Sequence, residues 1–215
     1  MRPGAALLAA LGDLYRQSWR LLLLNAAFSA AVVPLAVAAL WAPVALVGAV
    51  LVAGPAALAL MHCAVTLAQT EDLSLRCGLV GLRLHWRRGL VLALLLGVVA
   101  AVGIFAVLTY GRAGVWPLAA VALYLLLALA AFQIPLLPLA VAEPGLPLRD
   151  VLRSAAVVVF RRPLQVFALA VALAIVNLAG AAAAVLPLLT LTVAYSFLAA
   201  AHFTLPRRSL VEANA

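Results

Sequence analysis

The chain of 215 residues is 69% hydrophobic and only 9% charged, and its mean hydropathy is +1.26. Because soluble domains contain about 25% charged residues, this composition excludes an ordinary water-soluble fold and indicates a chain solvated by lipid. The net charge of +8 is the excess of 14 basic residues, all of them arginine, over six acidic ones. In a soluble protein such a charge would suggest nucleic-acid binding. Here the arginines lie between long apolar runs, which favours a role in membrane topology and excludes a nucleic-acid partner.

Uncharged stretches long enough to cross a membrane follow one another along the chain. A transmembrane helix needs about 20 apolar residues. The stretches without Asp, Glu, Lys or Arg are Leu21–Thr70, Gly89–Gly111, Ala113–Ala142 and Pro163–Pro206. The first and the last each fit two crossings, with turns near Trp41–Pro43 and Ala184–Pro187. The sequence therefore predicts one all-α membrane domain over residues 1–215, with six transmembrane helices at about 21–41, 45–68, 89–110, 115–140, 164–184 and 187–205.

Three charged segments of helical length precede these spans, at residues 5–20, 71–88 and 148–162. In each segment apolar residues recur every three or four positions on one face and arginines lie on another, which predicts amphipathic helices on the membrane interface. Each segment contains an aromatic residue followed by arginine at or near its end: Trp19-Arg20, Trp86-Arg87 and Phe160-Arg161. The pattern indicates three parallel repeats of an interfacial helix and a two-span hairpin. Alternatively, it reflects the general enrichment of arginine and tryptophan beside membrane spans.

Arginine placement predicts the orientation. With six spans, thirteen of the fourteen arginines lie on the side of the two termini, and only Arg112 lies on the other side. Cytoplasmic loops carry the excess of basic residues. We therefore expect a multi-pass protein of the bacterial cytoplasmic (inner) membrane with both termini in the cytoplasm.

Several features along the chain also match a known family. They are Asn25, Pro34, Gly54-Pro55, Ala59-Leu60, the acidic pair Glu71-Asp72, the Trp86-Arg87 corner and the stretch "FQIPLLPLAVAEPGLPLRDVLRSAAVVVFRRP". With these features the sequence resembles the YesL-like family of bacterial integral membrane proteins, a domain of unknown function. The resemblance covers most of the chain and implies a multi-span helical fold. It also implies an association with carbohydrate-uptake and polysaccharide-utilisation systems, without specifying a biochemical activity.

Uncharged polar residues within the spans are the candidates for ligand binding. Asn25, Gln133 and Asn177 could line a cavity, because amides hydrogen-bond well to the hydroxyl groups of a sugar-like ligand. The prolines of "QIPLLP" could break the fourth span beside Gln133 and expose backbone carbonyls. The alternative is that the amides bond between helices, where such bonds contribute about 0.6 kcal/mol each, and that the prolines merely kink the helix.

Histidine and cysteine do not form a recognisable motif. His62 and His202 have no second histidine at helical spacing, and Cys63 and Cys77 belong to no CxxC pattern, so we expect no metal site and no disulfide. No acidic residue lies deep in a span, and the sequence contains no phosphate-binding loop, nucleophile elbow or zinc-protease motif. We therefore expect no enzyme activity and no cofactor.

The arginines of the cytoplasmic side form the last candidate site. Arg83, Arg87, Arg88, Arg161 and Arg162 could bind anionic lipid headgroups or acidic transporter subunits, or could serve topology alone. The favoured function is a non-enzymatic accessory or scaffold component of a transport system, such as carbohydrate uptake, or of an envelope system. The alternative is a small solute transporter or the substrate-binding membrane subunit of a vitamin-type importer.

Overall fold

The computed structural model describes residues 3–39, 41–42, 44–70, 73–183 and 191–205, and these residues form helices joined by short connections. The helices are α1 (Pro3–Arg16), α2 (Ser18–Ala38), α3 (Val44–Thr70), α4 (Arg76–Arg112), α5 (Trp116–Ala142), α6 (Leu148–Arg161), α7 (Pro163–Ala183) and α8 (Val193–Thr204). The described part of the chain contains no strand. The prediction of an all-α protein is therefore confirmed.

Four of these helices are long and apolar enough to cross a membrane: α3, α4, α5 and the Pro163–Gly180 part of α7. Helices α1 and α2 pass the same test when taken together, as a pair bent by 97°. The described residues thus support four spans, or five if the bent pair counts as one. Residues 184–190 lie outside the described residues. They include the predicted turn at Ala184–Pro187 and the beginning of the predicted sixth span, 187–205, which is therefore described only from residue 191.

Helix α4 differs most from the prediction. It runs unbroken from Arg76 to Arg112, so the predicted interfacial segment 71–88, from residue 76 onward, and the predicted span 89–110 form one helix. At 1.5 Å per residue it is about 55 Å long, well beyond the roughly 30 Å of a bilayer core. The predicted corner at Trp86-Arg87 is therefore wrong. Because no proline occurs in this stretch, nothing there removes a backbone hydrogen bond.

Of the other two aromatic–arginine pairs, Phe160-Arg161 lies at the end of a helix, whereas Trp19-Arg20 lies inside α2, just after a break at Gln17, so the predicted helix 5–20 ends earlier than expected. Helix α1 ends at Arg16 and α2 begins at Ser18, two residues before Arg20. Helix α6 ends at Arg161, and Pro163, which lacks a backbone N–H, begins α7. Of the three predicted corners, only the one at Phe160-Arg161 therefore lies at a helix end.

Helices α3 and α4 make the most extensive contact of any pair among the described residues. They cross where two glycines meet: a Cβ on Gly54 would lie 2.3 Å from the carbonyl oxygen of Gly89, and a Cβ on Gly89 would lie 2.7 Å from Pro55 Cα. Small residues allow this close backbone approach between helices in lipid. The crossing places the second half of α3 against the first half of α4.

The buried core lies at one end of the bundle. It joins the second halves of α3 and α5 with α1 and α8, through side chains such as Met61, Leu136 and Leu198. In the second half of α4 and the first half of α5, large apolar side chains such as Phe105 and Tyr124 remain exposed. Exposed apolar surface of this extent fits a protein surrounded by lipid.

Candidate functional site

The three amides predicted to share a cavity lie in different settings. Asn25 on α2 is 0% exposed, and neither atom of its amide has a hydrogen-bond partner among the described residues. Asn177 on α7 donates from Nδ2 to Ser196 Oγ on α8 and to the carbonyl oxygen of Leu173, both at 2.8 Å. Gln133 on α5 is half-buried and lines a cleft to which neither asparagine contributes. Asn177 therefore joins helices, as the alternative interpretation of the amides expected.

The cleft beside Gln133 has a volume of about 270 Å³ and lies between α3, α4 and α5. The other described residues that line it are glycines or have apolar side chains, such as Val50, Leu58 and Leu96. A binding site for a polyhydroxyl ligand needs several convergent polar groups. One amide provides only one donor group and one acceptor, so the cleft suits an apolar group better than a sugar.

The prolines of "QIPLLP" do not break the fourth span. Helix α5 continues from Trp116 to Ala142 with Pro135 and Pro138 inside it, and both prolines are buried. They are packed within the core of the bundle, where neighbouring helices tolerate the lost backbone donors. The expectation of a broken helix with exposed carbonyls beside Gln133 is therefore wrong.

The predicted docking arginines separate into two groups. Arg83 and Arg87 on α4, and Arg161 and Arg162 at the end of α6, are exposed. The Arg87 guanidinium lies 5.2 Å from the centroid of the Trp86 ring, which is cation–π geometry. These four arginines, which we call the exposed arginine set, are placed where a partner outside the bundle can reach them.

Arg88 belongs to the second group, because its half-buried guanidinium is bound by backbone carbonyls of this chain. Nη1 donates to the carbonyl oxygen of Ala140 at 2.7 Å and to that of Glu143 at 2.9 Å, and Nη2 donates to that of Leu146. The last carbonyls of a helix have no partner within the helix, and a basic side chain can satisfy them. Arg88 thus caps the end of α5 and ties it to α4, which distinguishes it from the exposed arginine set.

Sequence analysis missed a buried ionisable pair. His202 Nε2 on α8 lies 2.7 Å from Asp13 Oδ2 on α1, and the two residues are 2% and 5% exposed. Near this pair the Tyr195 hydroxyl donates to the carbonyl oxygen of Leu7 at 3.2 Å. These contacts fix α1 against the bundle. The available signal was an aspartate on the same helix face as the small residues Ala6 and Ala10, which are also buried.

A second missed group lies between α3 and α4. His62 and Cys63 on α3 face Cys77 and His85 on α4, and we call these four residues the thiol–histidine cluster. Both cysteines are free and buried, and the centroids of the two imidazole rings are 5.3 Å apart. The described residues hold no group of three or more His, Cys, Asp or Glu placed to bind a metal ion. Cys77 and His85 lie eight positions apart within the segment predicted to be helical, but only the packing of α4 on α3 shows that they face His62 and Cys63.

Comparisons with protein-family models, curated proteins and solved structures give no match to this chain. The resemblance to the YesL-like family therefore remains a prediction from the sequence. The chemistry of the sites above has to be argued from their geometry.

Proposed function

We propose that the protein is a non-enzymatic scaffold or accessory component of the bacterial cytoplasmic membrane. In this proposal it has six spans and both termini in the cytoplasm, and it works beside a transport system, such as one for carbohydrate uptake, or an envelope system. The supporting observation is the exposed arginine set, which α4 and α6 present on the side assigned to the cytoplasm. Docking of an acidic partner subunit on these guanidinium groups is the interaction that the charge favours.

The construction of α6 supports the same function. Val151 and Ala155 are buried, whereas Arg149 and Arg153 are exposed on the opposite side of the helix. One face of α6 is thus committed to the bundle, and the basic face remains available. The engaged polar groups described above are used for packing: Asn177 joins two helices, Arg88 caps α5, and Asp13 pairs with a histidine.

Copurification from native membranes tests the docking function. The chain is extracted with its surrounding lipid, as wild type, as Arg161→Gln/Arg162→Gln, and as the control Arg112→Gln, which removes the one arginine predicted on the opposite side. An exposed ion pair contributes at most about 1 kcal/mol, so loss of two arginines weakens binding by up to about 30-fold. A subunit that mass spectrometry identifies as part of a transport or envelope system should copurify with wild type and with Arg112→Gln. The same subunit should be depleted with the double variant. Equal recovery with all three proteins, or no such subunit, would contradict the proposal.

Solute transport is the second candidate, because the buried amide of Asn25 has no partner among the described residues and Gln133 lines a cleft. Purified protein in liposomes distinguishes the two functions. Transport would give solute accumulation that Gln133→Leu abolishes and Arg161→Gln/Arg162→Gln leaves unchanged. The scaffold function predicts no accumulation above protein-free liposomes for carbohydrates and vitamins.

A further inference from the structure

The close approach of α3 and α4 brings the two cysteines of the thiol–histidine cluster together. A Cβ on Gly78 would lie 4.0 Å from Cys63 Sγ, and a Cβ on Gly81 would lie 2.9 Å from His62 Cβ. The α4 backbone beside Cys77 therefore runs directly against the α3 side chains. A disulfide requires a short separation between the two Cα atoms, and this helix contact brings the residue next to Cys77 against the Cys63 sulfur.

Burial distinguishes the two sulfur atoms. Cys77, near the start of α4, is 9% exposed, whereas Cys63 on α3 is 0% exposed. The Cys77 thiol points to Thr66 Oγ1 at 3.7 Å, and the Thr66 hydroxyl donates to the carbonyl oxygen of His62 at 2.8 Å. The thiolate is the nucleophile in thiol chemistry, and it forms less readily at the sulfur that is more deeply buried in apolar surroundings. Cys77 is thus placed as the attacking sulfur and Cys63 as the resolving one.

The fourth member of the cluster supports a polar reaction at this place. His85 is 2% exposed, and its Nε2 has no hydrogen-bond partner among the described residues, although the His85 ring packs against the His62 ring. A buried polar atom without a partner has a free-energy cost that packing alone does not explain. The Nε2 atom of His85 is therefore available to accept or donate a hydrogen bond within the cluster.

An apolar cleft reaches the Cys63 side of the thiol pair. Cys63 lines a cleft of about 320 Å³ between α2, α3 and α4, together with residues such as Leu24, Phe28 and Leu60. Among the described residues, no charged side chain lines this cleft. It therefore favours small uncharged reagents over charged ones such as glutathione disulfide, because transfer of a charge into an apolar site is costly.

We propose that Cys63 and Cys77 are a redox-active thiol pair that a small uncharged peroxide oxidises to an α3–α4 disulfide. The Cys77 thiolate attacks one oxygen of hydrogen peroxide, and the O–O bond breaks. The leaving hydroxide takes up the proton that the Cys77 thiol released when it ionised and becomes water, and Cys77 becomes a sulfenic acid. The Cys63 sulfur then attacks the Cys77 sulfur, the S–S bond forms, and the expelled hydroxide takes the Cys63 proton. Two thiols are oxidised, and one peroxide is reduced to two molecules of water.

Oxidation would lock the helix pair that has the most extensive contact in the bundle. Reducing compartments keep disulfides open, so a pair on the cytoplasmic side would be reduced at rest and closed only transiently. This inference does not depend on the proposed docking function, because neither thiol belongs to the exposed arginine set.

Intact-mass spectrometry of the full chain in lipid nanodiscs tests the pair. Hydrogen peroxide should remove two hydrogen masses from the wild-type chain, make both cysteines unreactive to maleimide, and link the peptides of Cys63 and Cys77. Dithiothreitol should reverse all three changes. Cys63→Ala should stop at a sulfenic acid on Cys77 that dimedone traps, whereas in Cys77→Ala the remaining thiol should react at least about tenfold more slowly.

An exposed reference thiol, Ala113→Cys in a Cys63→Ala/Cys77→Ala chain, calibrates the peroxide dose. The proposal is overturned if the wild-type thiols stay reducible and maleimide-reactive at a dose that oxidises the reference. It is equally overturned if oxidation gives only links between chains, or if the two single variants react at equal rates. Since the wild-type measurement needs no substitution, a variant that fails to fold does not prevent the decision.

Discussion

Replacing Gly54 with alanine tests how strongly the α3–α4 crossing stabilises the bundle. The added Cβ would lie 2.3 Å from the carbonyl oxygen of Gly89 and 2.4 Å from Ala93 Cβ. No rotamer change relieves these contacts, because one partner is backbone and the other is a Cβ atom, so the helices must separate. Overpacking typically costs about 1–3 kcal/mol, and we expect the upper end here. Replacing a helical glycine with alanine returns about 0.5–1 kcal/mol, which leaves a net loss of about 2 kcal/mol.

The matched control is Gly48→Ala, in the same helix and with the same chemical change. There the new Cβ would meet only Leu35 Cδ2 at 4.0 Å, an ordinary contact. Thermal unfolding in detergent, followed by circular dichroism, should show a Tm lower by about 4–8 °C for Gly54→Ala, since 1 kcal/mol corresponds to about 2–4 °C at this chain length. Gly48→Ala should leave the Tm unchanged or raise it slightly. Equal Tm values for the two variants would refute the inferred helix contact.

Three further substitutions probe the polar contacts. Asp13→Ala removes the partner of buried His202 and should lower the free energy of unfolding by about 1–3 kcal/mol. In a double-mutant cycle of Asp13 and His202, the losses of the two single variants should not add. Full additivity would show that the pair is not formed. Arg88→Met should lower the free energy of unfolding by a similar amount and should speed amide hydrogen exchange in the connection after α5. Arg87→Met, at an exposed position, should have neither effect. Equal behaviour of the two variants would contradict the capping role of Arg88. Asn177→Leu should cost only about 0.6 kcal/mol, and a loss above 2 kcal/mol would point to a larger network around this amide.

Local sequence patterns identified the apolar helices well. Pro163 marks the start of α7, and α6, Leu148–Arg161, nearly matches the predicted segment 148–162. The same kind of pattern failed at Trp86-Arg87, because an aromatic–arginine pair accompanies a helix break without causing one. What ends a helix is the loss of backbone hydrogen bonds, and α4 contains no residue that forces this loss.

The contacts of the candidate sites could not be read from local spacing. Asp13 and His202 are separated by 189 positions, and only the docking of α1 on α8 brings them together. The thiol–histidine cluster depends on the register of two helices, which is set by the crossing of Gly54 and Gly89. Arg88 resembles its neighbour Arg87 in the sequence, and only the position of the end of α5 separates a capping residue from an exposed one.

Membrane orientation is the claim on which the docking proposal depends most directly. In a Cys63→Ala/Cys77→Ala chain, single cysteines at Arg112 and at Arg149, both exposed in the structure, can be labelled in intact cells with a membrane-impermeant maleimide. The proposed topology predicts that Arg112→Cys is labelled from outside the cell and that Arg149→Cys is labelled only after the membrane is opened. Labelling of Arg149→Cys in intact cells, with Arg112→Cys protected, would contradict it.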